Sequence, residues 1–141
     1  MRPEFSGIER RLAELSERLS RLEPLRQKKR QEFDQDPYLR DIVERNLEVS
    51  VQCCIDICHR IISLMEAPPP RDYYESIQQM GELGVLPVDF ARHLAPIAGF
   101  RNILIHEYLE VNWGEVFLNL QNVEDLNTFA MYVRQWLQQQ I

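Results

Sequence analysis

The sequence predicts an all-α protein built as a bundle of five or six helices, and three observations predict it. Apolar residues recur at alternating spacings of four and three over long stretches, the mark of amphipathic helices. No stretch alternates with period two for long enough to make a strand. Proline and glycine cluster at a few points that cut the chain into helix-sized pieces. With 141 residues, 45% of them hydrophobic, the chain suits one domain, 1–141, around one core.

Residues 6–32 read as a long first helix, because Ile8, Leu12, Leu15, Leu19 and Leu22 form one heptad-like stripe with charge on the other faces. Ser6 with Glu9 three residues on has the form of a capping box. The segment FDQDP breaks the pattern. Asp36 before Pro37 suits a helix start, since proline in the first turn loses no needed hydrogen bond. From there to about residue 66 the stripe returns in Leu47, Val51, Cys54, Cys58, Ile61 and Met65. Residues 6–66 are therefore expected to form a long antiparallel helical hairpin.

The run Ala67-Pro68-Pro69-Pro70 is a stiff loop, because proline cannot occupy a helix interior. A third helix is expected over 72–82, ending at Gly81 or Gly84. Pro87 opens a short helix that Pro96 and Gly99 interrupt. Helix resumes through FRNILIHEYLEV, about 97–111, and leaves at Asn112-Trp113-Gly114. Residues 114–139 read as a short helix and a last one. Asn122 is placed to cap that last helix, and Leu126, Phe129, Val133, Trp136 and Leu137 form its apolar face. The glutamines from Gln138 to Gln140 are expected to fray.

The formal charge of −6 speaks against a polyanion partner, yet its distribution is uneven. Residues 1–30 carry nine Arg or Lys against five Glu, a net of +4, so the other 111 residues carry −10. The first helix can thus face a polyanion, or it is an ordinary solvated surface. No run approaches the ~20 apolar residues of a membrane-spanning helix. The N-terminus lacks the apolar stretch of a signal peptide. The three cysteines are odd in number and confined to one stretch, which suits a reducing cytoplasm better than a disulfide framework.

Most chemical motifs are missing. There is no glycine-rich phosphate loop and no His-Glu-x-x-His, and Cys53, Cys54 and Cys58 lack paired metal-ligand spacing. No metal and no cofactor is therefore expected. Cys54 and Cys58 sit one turn apart on the apolar stripe and read as small buried hydrophobes. His59 and His93 read as partly buried structural histidines. The segment RNILIHEY, 101–108, differs in gathering Arg, Asn, His, Glu and Tyr around three aliphatic residues. At about 100° per residue, Asn102 and His106 share one face while Arg101 and His106 stand about 140° apart. They meet at one cleft if the long arginine curves round or if a second subunit supplies the other wall.

RNA carries its own nucleophile, the 2′-hydroxyl beside the phosphodiester. An imidazole titrating near neutral pH can take that proton or protonate the leaving oxygen. A guanidinium can fork onto the phosphate oxygens and stabilise the charge that builds there. Asn102 is an auxiliary candidate that can orient either group. Spacing alone favours a plain structural helix, since any helix can carry Arg and His five apart.

The string GFRNILIHEYLEV resembles the signature of HepT-like toxins in the HEPN superfamily: Arg, four residues, His, one residue, Tyr. Those positions are Arg101, His106 and Tyr108. The stretches IVERNLEVSVQCCIDICHRII and MGELGVLPVDFARHLAPIAGF also look like the family's second helix and the lead-in to its catalytic helix. The resemblance covers about residues 35–140. It implies a dimeric HEPN-like bundle and a metal-independent endoribonuclease toxin of a type VII-like toxin–antitoxin pair. Arg101 and His106 would be the catalytic pair, at a cleft shared by two subunits. It implies as partners RNA, a second copy of the chain and an MntA-like nucleotidyltransferase antitoxin that uses ATP. That antitoxin would silence the enzyme by AMPylation of Tyr108. The alternative is a non-catalytic helical binding partner of a nucleotidyltransferase.

Overall fold

The computed structural model describes residues 3–106 and 113–140. They are all-α: six helices of at least eight residues, two shorter ones and two 3₁₀ turns, with no strand among the described residues. In chain order the helices are α1 (Ser6–Leu22), α2 (Arg30–Asp34), α3 (Pro37–Leu64), α4 (Tyr73–Glu82), α5 (Val88–Leu94), α6 (Ile97–His106), α7 (Trp113–Leu120) and α8 (Val123–Gln139). No helix among the described residues is long and apolar enough to cross a membrane.

The helix α3 is the axis of the bundle. It is buried on nearly every side between Ser50 and Cys58, because α1, α4, α6 and α8 all pack against it. Asp36 caps it, its carboxylate accepting from the backbone N–H groups of Tyr38 and Leu39, with Pro37 in the first turn. Leu47, Val51, Cys54, Cys58 and Ile61 are all buried, whereas Met65 lies just past the helix and is exposed. Two polar side chains survive in this interior because each has a partner. Asn46 donates to the Ile42 carbonyl at 2.7 Å and accepts from Arg18, and Ser50 donates to the Asn46 carbonyl at 2.7 Å.

The first helix is shorter than its stripe suggests. The five apolar residues from Ile8 to Leu22 are all buried, each contributing about 1.5–3 kcal/mol as an upper estimate. But α1 stops at Leu22, and Glu23–Gln27 is a 3₁₀ turn carrying Pro24 in its first positions. Proline has no N–H to donate and its ring clashes with the preceding turn, so the α-helix cannot continue. The chain then turns back through α2 and inserts Phe33, fully buried, against the rings of Trp113 and Phe117 at 5.4 and 5.8 Å. Arg40 fastens this corner by donating to the carbonyls of Phe33 and Asp34. At the other end, Ser6 makes no capping box. Phe5 occupies the cap position with no side-chain bond, and a 3₁₀ turn, Pro3–Phe5, leads into the helix.

Asp72 caps α4 by accepting from the Glu75 N–H. The helix ends at Glu82, where Gly84 takes φ +77° and lets the N–H groups of Val85 and Leu86 reach back to the Met80 carbonyl. Gly81 serves differently: a Cβ there would stand 3.2 Å from both the Ala91 Cβ and the Val88 Cα, so α5 lies directly on α4. Pro96 separates α5 from α6, but Gly99 does not interrupt; it lies inside α6. Asn122 sits at the start of α8 without a side-chain capping bond, and the helix holds through Gln139. α8 closes the bundle over α1, with Arg134 donating to Ser16 Oγ at 2.6 Å and the rings of Phe5 and Trp136 edge to face at 5.9 Å.

Candidate active site

Arg101 lies in the second turn of α6, between two helices that hold it from either side. Its Nε donates to Oε1 of Gln52, on α3, at 2.6 Å. Its guanidinium stands 4.8 Å from the ring centroid of Tyr73, the first residue of α4, a cation–π distance. Buried Ala98, Phe100 and Leu104 fix α6 itself against the bundle. The arginine is therefore half-buried and restricted in rotamer, and its contacts among the described residues are with an amide and a ring instead of a carboxylate. Such a group can meet an anion without first reorganising.

The arrangement continues along α3. Gln52 donates from Nε2 to Oδ1 of Asp56 at 2.8 Å, and Oδ2 of Asp56 stands 3.6 Å from Nε of Arg11 on α1. The motif arginine is thus linked to the first helix through two side chains. One turn on, His59 packs its ring 5.3 Å from that of Tyr73, and its Nε2 is buried with no hydrogen-bond partner among the described residues. His59 does lie partly buried, but its buried Nε2 lacks, among the described residues, the partner a structural histidine would have there. His93 is exposed, not partly buried, and pairs with Asp125 at 2.8 Å to tie α5 to α8.

Gln52, Asp56, His59 and Ser63 run along α3 at spacings of four, three and four. They form a polar stripe on the helix that also carries the apolar one. That periodicity was available in the sequence, and it is the signal that would have singled out Gln52 and Asp56. Tyr73 had none, since its contact with Arg101 depends on how α4 packs.

Asn102 is exposed on α6. Among the aliphatic residues beside it, Leu104 is buried and Ile103 half-buried. His106 ends the described part of α6. Its side chain and all of Tyr108 lie outside the described residues, as does the expected continuation of the helix to 111.

The all-helical order agrees with a family match over most of the chain. The sequence profile described as Ribonuclease HepT-like matches residues 13–133. This chain belongs to the HepT-like family. A HepT-like relative, the tRNA nuclease HepT of Aphanizomenon flos-aquae, is 32% identical over 94 residues, 67% of this chain and 63% of that protein. The match thus spans less than two thirds of that relative's length. The mRNA nuclease HepT of Shewanella oneidensis is 28% identical over 104 residues, 73% of this chain and 78% of that protein. A solved structure, the tri-AMPylated Shewanella oneidensis HEPN toxin in complex with MNT antitoxin, superposes with a TM-score of 0.80 at 24% identity. That superposition covers 92% of this chain and 98% of that one, which shows the shared HEPN fold.

Proposed function

We propose that this HepT-like chain is an endoribonuclease toxin acting as a homodimer, with Arg101 and His106 as the catalytic pair. The observation that carries the reading is the seating of Arg101: Gln52 and Tyr73 hold the family's motif arginine in one orientation without a neutralising carboxylate among the described residues. Support for the activity comes from the two nuclease relatives. Support for a dimer comes from the helix itself, since Arg101 and His106 stand about 140° apart on α6 and a second subunit can close the cleft.

In this scheme His106 takes the proton of the RNA 2′-hydroxyl or delivers one to the leaving oxygen. The 2′-oxygen attacks the adjacent phosphorus, the bond to the 5′-oxygen breaks, and that oxygen leaves protonated as a hydroxyl. The products are a 2′,3′-cyclic phosphate and a 5′-hydroxyl end. Arg101 stabilises the extra negative charge on the phosphorane oxygens. Asn102, exposed beside it, orients the phosphate or the imidazole.

Control belongs to a nucleotidyltransferase antitoxin, a reading supported by the tri-AMPylated, antitoxin-bound state of the Shewanella toxin. The Tyr108 oxygen attacks the α-phosphorus of ATP, pyrophosphate leaves and the phenolic proton is released. The added nucleotide places bulk and phosphate charge near Arg101 and competes for its guanidinium.

The test is cleavage of a labelled single-stranded RNA in excess EDTA by unmodified wild-type, Arg101→Ala and His106→Ala. Cleavage by the wild type alone, leaving cyclic phosphate ends, is the expected result. Equal cleavage by the variants removes the pair from the mechanism. RNA bound but intact with all three would make the chain a binding partner instead of an enzyme.

A further inference from the structure

Between α1 and α3 lies a groove of about 510 Å³ lined by Ser6, Gly7, Arg10, Arg11, Asp56, His59, Arg60 and Ser63. It brings three guanidiniums and an imidazole together against a single carboxylate, in a chain whose overall charge is −6. Asp56 is already engaged by Gln52 and by Arg11. Arg10 and Arg60 are exposed, and among the described residues no carboxylate pairs with either. Two cations at a groove lip, next to two serine hydroxyls, are arranged for an anion with several charged oxygens.

The groove is connected to the motif arginine through two rings. His59 lines it and packs its ring, tilted, against that of Tyr73, and Tyr73 is the ring under Arg101. A ligand leaving Arg101 over Tyr73 would reach His59 and then the guanidiniums of Arg60 and Arg10. A strand of phosphates has that reach; a single phosphate has not.

We infer that this groove is a phosphate track, in which Arg10 and Arg60 hold the backbone of single-stranded RNA on one side of the bond cleaved at Arg101. The inference rests on the ribonuclease reading for its substrate but not for its test. The charge asymmetry of the sequence acquires a place here: the basic first helix presents Arg10 and Arg11 to the groove, while its apolar stripe faces inward. Neither arginine contacts the scissile phosphate. Both act by binding, and a basic groove that tracks the backbone gives strong salt dependence with little sequence preference.

The experiment measures binding of a fluorescent single-stranded oligodeoxynucleotide, which lacks the 2′-hydroxyl and cannot be cleaved by the proposed route. Full-length wild-type protein is compared with Arg10→Gln/Arg60→Gln across a salt series. Arg92→Gln, an exposed arginine on α5, serves as the off-groove control, and urea unfolding confirms that each variant is folded. Loss of two phosphate contacts lowers the slope of log K against log salt by about 1.4 and weakens binding roughly 25-fold at 0.1 M salt, at ~0.7 per phosphate of a single strand. Arg10→Lys/Arg60→Lys keeps both charges and recovers most of the slope.

An unchanged affinity and slope in the folded Gln variant overturns the track, whether or not the wild type cleaves RNA. A lowered slope together with RNA that is never cleaved upholds the track and removes the nuclease. Unchanged oligonucleotide binding with loss of dimerisation, or of nucleotidyltransferase capture, assigns the groove to a protein partner and also overturns the inference.

Discussion

Replacing Gln52 by leucine should misplace Arg101 without removing it. The substitution keeps most of the side-chain volume but deletes the acceptor that holds Arg101 Nε at 2.6 Å and the donor to Asp56 at 2.8 Å. A hydrogen bond to a charged group contributes about 1.5–3 kcal/mol. Both partners here are only half-buried, so solvent competition brings the figure to roughly 1–2 kcal/mol. If the lost orientation is felt fully in the transition state, kcat/KM for single-stranded RNA falls about 5–30-fold, at 1.36 kcal/mol per tenfold. The packing of Arg101 on Tyr73 remains, so activity should not fall to the level of Arg101→Ala. The assay is initial-rate cleavage by wild type, Gln52→Leu, Arg101→Ala and the double variant, beside urea unfolding of all four. In the Arg101→Ala background the leucine should change neither rate nor coupling, because the partner is gone. Cleavage by Gln52→Leu within twofold of wild type, or an equal added loss in both backgrounds, would refute Gln52 as the residue that positions Arg101.

Other outcomes follow from packing and ionisation. Phe33→Ala empties a fully buried site between Trp113 and Phe117 and should cost about 3–5 kcal/mol in urea unfolding; a cost below ~1 kcal/mol would mean that the corner collapses freely. Gly84→Ala should cost ~1–2 kcal/mol by forcing a side chain into φ +77° with open space around it. Gly99→Ala, inside α6 with nothing within 4 Å of the new Cβ, should instead raise stability by ~0.4–1 kcal/mol. Burial, and then the negative charge of Asp41, push the Glu44 carboxyl up. Its ionised form is therefore less stable folded than unfolded, a penalty complete above the folded pKa and absent below the unfolded one. Glu44→Gln should raise Tm at neutral pH, with the gain disappearing as pH falls through the carboxylate range. Burial, followed by the charges of Glu14 and Asp56, raises the Cys53 thiol to about 11, and fully buried Cys54 and Cys58 are raised as well. Thiol reagents at neutral pH should label the native protein slowly and reach all three only after unfolding, as read by intact mass.

The elements most legible in the sequence are those written by local pattern. The stripe from Ile8 to Leu22 and the Asp36-Pro37 start of α3 depend on neighbours within a turn or two, and both hold in the structure. Pro24 was equally visible, yet the regular spacing that runs up to Leu22 carried the reading of one helix through to residue 32. Position mattered more than spacing there: a proline past the last stripe residue ends a helix, since nothing apolar beyond it demands continuation. At the site, the Arg101 motif is contiguous and could be seen. Its supports could not, because Gln52 lies 49 residues away and Tyr73 reaches it only through the packing of α4. The exposed pairing of His93 with Asp125 was hidden for the same reason, the two standing 32 positions apart.

The closure of α8 over α1 sets an order on the birth of the molecule. Phe5 meets Trp136, and Ser16 meets Arg134 across 118 residues, so the first helix waits for the last to complete its burial. At synthesis rates of roughly 5–20 residues per second, the stretch from Phe5 to Trp136 takes about 7–26 s to make. Through that interval α1 can pair with α3, but the side of α1 that packs on α8 stays uncovered. Exposed apolar surface leaves the nascent chain open to aggregation during that interval. The basic groove needs only α1 and α3, and the arginine site only α3, α4 and α6, so both can take shape before α8 arrives to lock the first helix in place.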